Sequence, residues 1–397
     1  MLSKNFSRRN AIRSIAVAAA MGVLSACAPT PGQQSSGFGG DFDPNQPVKV
    51  ALLVPSESGD PGRELIARSL INAANLAVSD LRNADIDLTV YPTYGTSGGG
   101  SAAASQAVAE GAKIIVGPLF STATSGAEPV AAGAGLKLLS MSNNIEVASN
   151  NVYILGNTFA NTADSLVAYA MSRGLRNFGV VYPEGLEGET ARNAASSAIQ
   201  RRGATLVASE PYSLSVEGIN SSAPSIASSL NSNGANAVIL TDGPTGGLGY
   251  IGDALRDNGV DHAQVQYLGM QRWDVSAETL ALPSMQGGAF AAPDPGLLGA
   301  FQARYTSTFG ESPHEVAGLA YDGIAAVGAL ISEARSSGVA AFSDAAITQP
   351  SGFAGVGGAF RFLPDGTSQR NLAIYEVQGA QAVVVQRAAG GFGTFAN

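Results

Sequence analysis

From Val48 onward the sequence alternates short apolar runs with longer segments whose apolar residues recur at steps of three and four. Apolar runs of about four to eight residues bounded by Gly, Pro, Ser or Asn fit buried strands, and the segments between them fit helices. The clearest instance is Lys113 to Asn144. Ile114 to Val116 leaves sharply at Gly117-Pro118, Ser121 is placed to cap a helix over Thr122 to Ala132, and a second run, Leu136 to Met141, ends in Ser142, Asn143 and Asn144. Repetition of this strand–helix–strand unit predicts an α/β fold built on a parallel, doubly wound sheet.

Two such series follow one another. The first has a strand over Val48 to Pro55, a polar loop Ser56 to Gly62, and a helix Arg63 to Leu81 with Ile66, Leu70, Ala73, Ala77 and Leu81 on one face. A strand over Asp87 to Tyr91 comes next, then a Gly-rich loop and a helix Ala102 to Glu110, before the Lys113 unit. The second series starts after Asn161. It places helices at Asp164 to Arg173, Glu189 to Arg201, Pro224 to Asn231 and Gly247 to Asp257, with strands at Phe178 to Tyr182, Thr205 to Ser209, Ala237 to Leu240 and Gln266 to Met270. Two lobes of similar fold are expected. After Gly287 come a strand over Ala289 to Ala292, helices Pro295 to Phe309 and Val316 to Ser336, and a hairpin arm Phe353 to Phe362. That arm turns at Pro364-Asp365-Gly366 toward a partner strand Leu372 to Gln378.

Charge narrows the partners. The 397 residues carry 22 Lys and Arg against 31 Asp and Glu, a net charge of −9, with no basic cluster beyond the N-terminus. A nucleic-acid partner is disfavoured, and an anionic membrane surface would repel the chain. The N-terminus itself is basic at Lys4, Arg8, Arg9 and Arg13, and Ser14 to Ala26 is an uncharged, mostly apolar stretch too short to span a bilayer. Residues 1–26 therefore read as a signal peptide, and Leu24-Ser25-Ala26-Cys27 resembles a bacterial lipobox. Cys27, the single cysteine in the chain, would become the lipidated first residue. Ser7-Arg8-Arg9 resembles a twin-arginine motif whose continuation, Asn10-Ala11-Ile12, departs from the usual one, so both export routes stay open. Cleavage removes four positive charges and no negative ones, taking the mature chain to −13. Residues 28–47, rich in Pro, Gly, Gln and Ser, read as a flexible tether.

Strands that end in hydroxyls and amides suggest a site for a small polar ligand, since open α/β sheets collect ligands at the carboxyl ends of their strands. Ser121, Thr122, Ser140, Ser142 and Asn143 occupy such ends in the first lobe. Other chemistries fit less well. Gly95-Thr96-Ser97-Gly98-Gly99 matches the nucleophile-elbow pattern, yet Pro92 interrupts the preceding strand and the run continues as a flexible Gly-rich loop. His262 and His314, the only histidines, each sit in a turn without a triad context. No metal constellation and no cofactor motif are present, and the Gly-rich loop lacks the Lys-Ser/Thr of a phosphate cradle. Trp273 beside Arg272 reads as a rim aromatic that could also stack on a sugar or a partner protein.

The strand Val50-Ala51-Leu52-Leu53-Val54-Pro55, the turn Ile115-Val116-Gly117-Pro118 with Ser121, the helix Ala320-Tyr321-Asp322-Gly323, and Phe353 through Phe362 to Pro364-Asp365-Gly366 together resemble the type I periplasmic binding proteins of the leucine/isoleucine/valine class. The lipobox with Val-Gly-Pro-Leu-Phe-Ser looks most like the penicillin-binding protein activator lipoproteins. The resemblance implies three interlobe crossovers, near Gly156 to Ala160, Phe290 to Pro293 and Phe342 to Gly352. Lobe 1 would then be 48–157 plus 291–345, lobe 2 158–290 plus 346–388, and 389–397 a frayed tail. It implies a periplasmic protein anchored in the inner leaflet of the outer membrane, with a class A penicillin-binding protein, a peptidoglycan synthase, as partner. The alternative is the substrate-binding component of an amino-acid importer that docks on an ABC permease. In the leucine-binding relatives, groups at the positions of Ser121-Thr122 and Ser140 to Ser142 hold the amino acid. A tyrosine at the position of Tyr182 closes over it, and an acid such as Asp242 or Glu184 meets its ammonium. Gln271 is an amide where a carboxylate is often found, and Phe120 is expected to narrow the cleft. The short tether departs from activators that carry a helical domain before this fold.

Overall fold

The computed structural model describes residue 43, residues 46–261 and residues 263–392. The signal segment, Cys27, most of the tether, His262 and the last five residues lie outside the described residues. The first lobe is assembled in chain order from β1 (Val48–Val54), α1 (Pro61–Asp80), β2 (Ile86–Pro92), α2 (Ser97–Ala109), β3 (Ile114–Val116), α3 (Ser121–Gly133), β4 (Leu138–Ser140) and β5 (Val152–Ile154). Its five strands are all parallel, in the order β2-β1-β3-β4-β5. Asp60 starts α1 by accepting the Arg63 N–H at 2.9 Å with Pro61 at the first helical position, and Ala67, Leu70, Ala73 and Ala77 form the buried face.

The second lobe continues with α4 (Phe159–Ser172), β6 (Asn177–Pro183), α5 (Leu186–Arg201), β7 (Thr205–Tyr212), α6 (Val216–Ser232), β8 (Ala237–Leu240), α7 (Leu248–Asp257), β9 (Gln266–Gly269), α8 (Ala277–Ala281) and β10 (Ala289–Ala292). The chain then returns to the first lobe through α9 (Pro295–Phe309), α10 (Ala317–Ser337), α11 (Asp344–Ile347) and a short antiparallel pair, β11 (Phe360–Phe362) with β12 (Ser368–Arg370). It ends in β13 (Ala373–Gln378) and β14 (Gln381–Gln386), which add antiparallel strands to the second sheet in the order β14-β13-β10-β9-β8-β6-β7.

Packing corrects several expectations. The chain passes from one lobe to the other between β5 and α4, between β10 and α9, and between β12 and β13. The last passage is therefore at Asn371-Leu372, not at Phe342 to Gly352. Phe353, Phe360 and Phe362 belong to the same buried cluster as β1, α1 and α10, so residues 346–370 complete the first lobe. The arm that turns at Pro364-Asp365-Gly366 pairs with Ser368–Arg370, whereas Ala373–Gln378 joins the second sheet beside β10. Residues 389–392 are held, not frayed: Asn371 donates to the carbonyls of Ala389 and Gly391, and the Arg361 guanidinium sits 4.6 Å from the Phe392 ring centroid. Helix α6 continues through Pro224, because Ile219, Ala223, Ile226 and Leu230 bury one continuous face and Ser215 caps its start.

The Gly-rich stretch Gly98 to Gly100 is the first turn of α2 and not a loop. Helices α2 and α3 approach so closely that a Cβ on Gly100 would lie 2.0 Å from the Ala123 carbonyl oxygen, and one on Gly126 would lie 1.9 Å from that of Ser97. Only glycine permits that contact, so close packing outweighs glycine's low helix propensity.

A clasp between buried Lys137 and Tyr153 and exposed Asp344 closes the first lobe. Lys137, fully buried before β4, donates to the Asn150 carbonyl at 2.7 Å, pairs with Asp344 on α11 and lies over the Tyr153 ring. Tyr153 also donates to Asp344, at 2.6 Å. Partial burial raises the Asp344 carboxyl, but the hydrogen bonds from Lys137 and Tyr153 outweigh it and hold the group below its ordinary value. A carboxyl lowered on folding contributes stability at pH above its unfolded value, and that contribution is lost as pH falls through the folded value. Asp344→Asn is expected to lower the thermal midpoint at neutral pH, and the gap from the parent protein should shrink as pH drops below about 4. A gap that stays constant in a pH series of melting curves would remove this role.

Candidate functional site

The expected ligand groups do sit at strand ends, but many are committed to their own lobe. On the first lobe, Gly117 takes φ +92°, and a Cβ there would lie 2.3 Å from the Leu53 carbonyl oxygen, so glycine is needed at the exit of β3. Helix α3 begins at Ser121, and the residue before it, Phe120, supplies no side-chain cap. Ser121 is thus inside the helix and not its cap, while Thr122 points to solvent. Thr124, one turn in, carries the buried hydroxyl, 2.9 Å from Ser140 Oγ. Ser140 is fully buried, donates to the Pro118 carbonyl and accepts from the Ser142 N–H, and Ser142 in turn accepts from the Asn144 N–H. These hydroxyls brace the loop after β4. Phe120 is pinned under Arg63, whose guanidinium lies 5.5 Å from its ring centroid and donates to the Tyr94 carbonyl.

On the second lobe Asp242, two residues past β8, is buried. Its Oδ1 accepts from the Gly243 N–H at 2.7 Å, and its Oδ2 from the Tyr212 hydroxyl at 2.9 Å and from the Gly247 N–H. A Cβ on Gly246 would lie 2.1 Å from Asp242 Oδ1, so Asp242-Gly243-Pro244-Thr245-Gly246-Gly247 wraps the carboxylate in backbone. Burial, reinforced by Asp242, pushes the Tyr212 hydroxyl well above its ordinary value. Gln271 lies across Gly243 and reaches Glu187 and the Thr241 carbonyl only at 3.5 Å. Tyr182 is half-buried under the Arg192 guanidinium, and Glu184 is exposed. Trp273 is fully buried between Gly269, Gly288 and Phe290, so it is a core residue and neither a rim aromatic nor a stacking platform.

The lobes share a cavity of about 460 Å³ where the crossings meet. Leu119, Phe120, Met141 and Asn143 line it from the first lobe and Arg272 from the second; Gly156, Pro293 and Leu372 come one from each crossing. Of the expected ligand residues only Asn143 lines this space. Two ion pairs border it. Arg370 Nη1 meets Asp322 Oδ2 at 2.8 Å, with both residues buried, while Arg370 Nη2 donates to the Leu155 carbonyl and the Val356 N–H donates to Asp322 Oδ1. Burial raises the Asp322 carboxyl, opposed by Arg370 and by the Val356 N–H. Arg272 grips Asp274 through Nε and Nη2 at 3.0 and 2.7 Å, and that pairing raises the guanidinium. Asp322 stood in a motif that sequence reading singled out, but its partner is 48 residues away and carries no local signal.

Ser97 is exposed at the start of α2, and His314 Nδ1 accepts the Val316 N–H, so the elbow-like motif gains no base from His314. Among the described residues no cluster of three or more His, Cys, Asp or Glu side chains could hold a metal ion. None of their helices is long and apolar enough to cross a membrane.

Two doubly wound lobes joined by three crossings, with strand ends and a cavity between them, define a two-lobed α/β binding protein. A periplasmic binding protein profile matches residues 47–382, and the chain belongs to that family. Membership implies a periplasmic location. Among similar solved structures, a putative branched-chain amino acid ABC transporter protein from Rhodospirillum rubrum shares 17% identity at a TM-score of 0.70, over 86% of this chain and 100% of that one. Full-length LpoA from Haemophilus influenzae shares 18% at 0.63, over 86% of this chain and 59% of that one. The leucine-binding protein LivK of Thermotoga maritima shares 16% at 0.51, over 86% and 98%. Identities this low show a common fold. No curated protein matches the chain. The family and these neighbours are binding proteins, not enzymes.

Proposed function

We propose that this is a non-catalytic, lipid-anchored periplasmic protein that stimulates peptidoglycan synthesis by contact with a class A penicillin-binding protein. The observation that carries the reading is the state of Asp242. Both of its oxygens are engaged by donors of its own lobe, so it is poorly placed to receive the ammonium of a free amino acid. Ser140 donates to the Pro118 carbonyl and Ser142 accepts the Asn144 N–H, both within their own lobe. Glu184 is in solvent, where an ion pair to a ligand would be weak. The fold shared with LpoA, a penicillin-binding protein activator, is consistent with a role through contact. The anchor rests on the lipobox ending at Cys27.

One observation favours the importer reading, in which the chain delivers amino acids to an ABC permease. The Ser121 hydroxyl makes no hydrogen bond among the described residues and stands at the open start of α3. The experiment uses both arms. The lipid-free chain should be retained on an immobilised class A synthase and raise its polymer output, while calorimetry with leucine, isoleucine and valine gives no saturable heat. Tight leucine binding that disappears in Ser121→Ala, with no effect on the synthase, would reverse the order of the two readings.

A further inference from the structure

We propose that the cavity at the lobe junction is a binding site for an uncharged, mainly apolar small molecule. This goes beyond the activator reading and does not depend on it. Its volume of about 460 Å³ falls within the range of small-molecule sites, roughly 300–1,000 Å³. Ile66, Leu119, Met141, Leu298, Val316 and Leu319 supply apolar walls. The charges that border it are already matched: Asp322 with Arg370, both buried, and Arg272 with Asp274, both half-buried. Glu315, the remaining charged group on the lining, is exposed and screened by solvent. A charged ligand would lose hydration on entry and find no buried counter-charge that is not already paired.

What is left for recognition is hydrogen bonding by two amides and by one N–H of a guanidinium whose charge is already paired with Asp274. Among the described residues the Asn143 side chain makes no hydrogen bond, Asn157 Oδ1 accepts none, and Arg272 Nη1 donates none. These groups suit one carbonyl, hydroxyl or amine on an otherwise apolar body, which is a different class from a zwitterionic amino acid. Because Gly156, Pro293 and Leu372 line the same space, an occupant touches all three crossings and biases the angle between the lobes.

A matched pair of fluorophores tests the charge rule: N-phenyl-1-naphthylamine, and the same skeleton carrying a sulfonate, 1-anilinonaphthalene-8-sulfonate. The neutral probe should bind saturably at one equivalent, and the sulfonate at least about tenfold more weakly. Leu319→Trp and Leu298→Trp, which fill the cavity from two different helices, should each weaken the neutral probe by about tenfold or more. Tyr250→Ser, on an exposed apolar side chain, should leave it unchanged. Having two filling variants keeps the test readable if one of them fails to fold. Absence of saturable binding, equal or tighter binding of the sulfonate, or unchanged affinity in a folded tryptophan variant would overturn the proposal. Synthase stimulation measured on the same preparations reports on the activator reading separately, since either result can fail while the other stands.

Discussion

Arg370→Met is expected to destabilise the protein by about 3–5 kcal/mol, read as a shift in the midpoint of urea unfolding. The cost arises mainly from what is left behind. Asp322 is 1% exposed, and its Oδ2 would lose the guanidinium that now lies 2.8 Å away. The same change removes the hydrogen bond to the Leu155 carbonyl and the packing of the guanidinium 4.7 Å from the Phe360 ring centroid. The double variant Asp322→Asn with Arg370→Met should recover much of the loss, because an amide still accepts the Val356 N–H without leaving a charge unpaired. It should fall short of the parent protein, since the contact with Phe360 is gone. Equal stability of the single and double variants would mean that the charge at Asp322 is not what Arg370 compensates. The pair joins α10, the end of β12 and the carbonyl after β5, so the loss should also reach the floor of the lobe-junction cavity.

Gly126→Ala is expected to cost about 1–3 kcal/mol, at the upper end of that range, and Gly100→Ala to behave similarly. In both cases the new methyl group meets a backbone carbonyl of the facing helix, at 1.9 and 2.0 Å, and a carbonyl cannot rotate away as a long side chain can. Helix α3 must then shift from α2, and with it Thr124, whose hydroxyl lies 2.9 Å from Ser140. Gly98→Ala is the control. No atom lies within 4 Å of the added carbon, the residue is exposed, and alanine should stabilise the helix by roughly 0.5–1 kcal/mol. Opposite signs for neighbouring glycines of one helix distinguish close approach from propensity. A common sign in thermal melts of all three variants would count against the packing argument.

Periodicity and turn chemistry located β8, β10 and α9 at their observed bounds, because such elements are bounded by local signals: a Pro at the first turn, a Gly at the end, a polar break after an apolar run. The same local signals misplaced the start of α2 and the start of α6, where Gly98 to Gly100 and Pro224 argue against a helix and tertiary packing supplies one. The short strand β5 was not anticipated, since Val152 to Ile154 is too brief to be distinguished from a loop until it pairs with β4.

By itself the sequence determined the α/β class, the two-lobed plan and the family resemblance, since each rests on the order and spacing of residues along the chain. Only the tertiary structure decided which polar groups are free. Asp242, Ser140 and Ser142 look like ligand groups in the sequence, yet in the fold they are engaged by Tyr212, Pro118 and their own loops. Asp322 and Arg370 meet because α10 and β12 pack together, and the cavity opens where three separated stretches of chain pass between the lobes. A side chain's chemistry is set by its residue type, but its availability depends on which distant partners the fold brings within hydrogen-bonding distance.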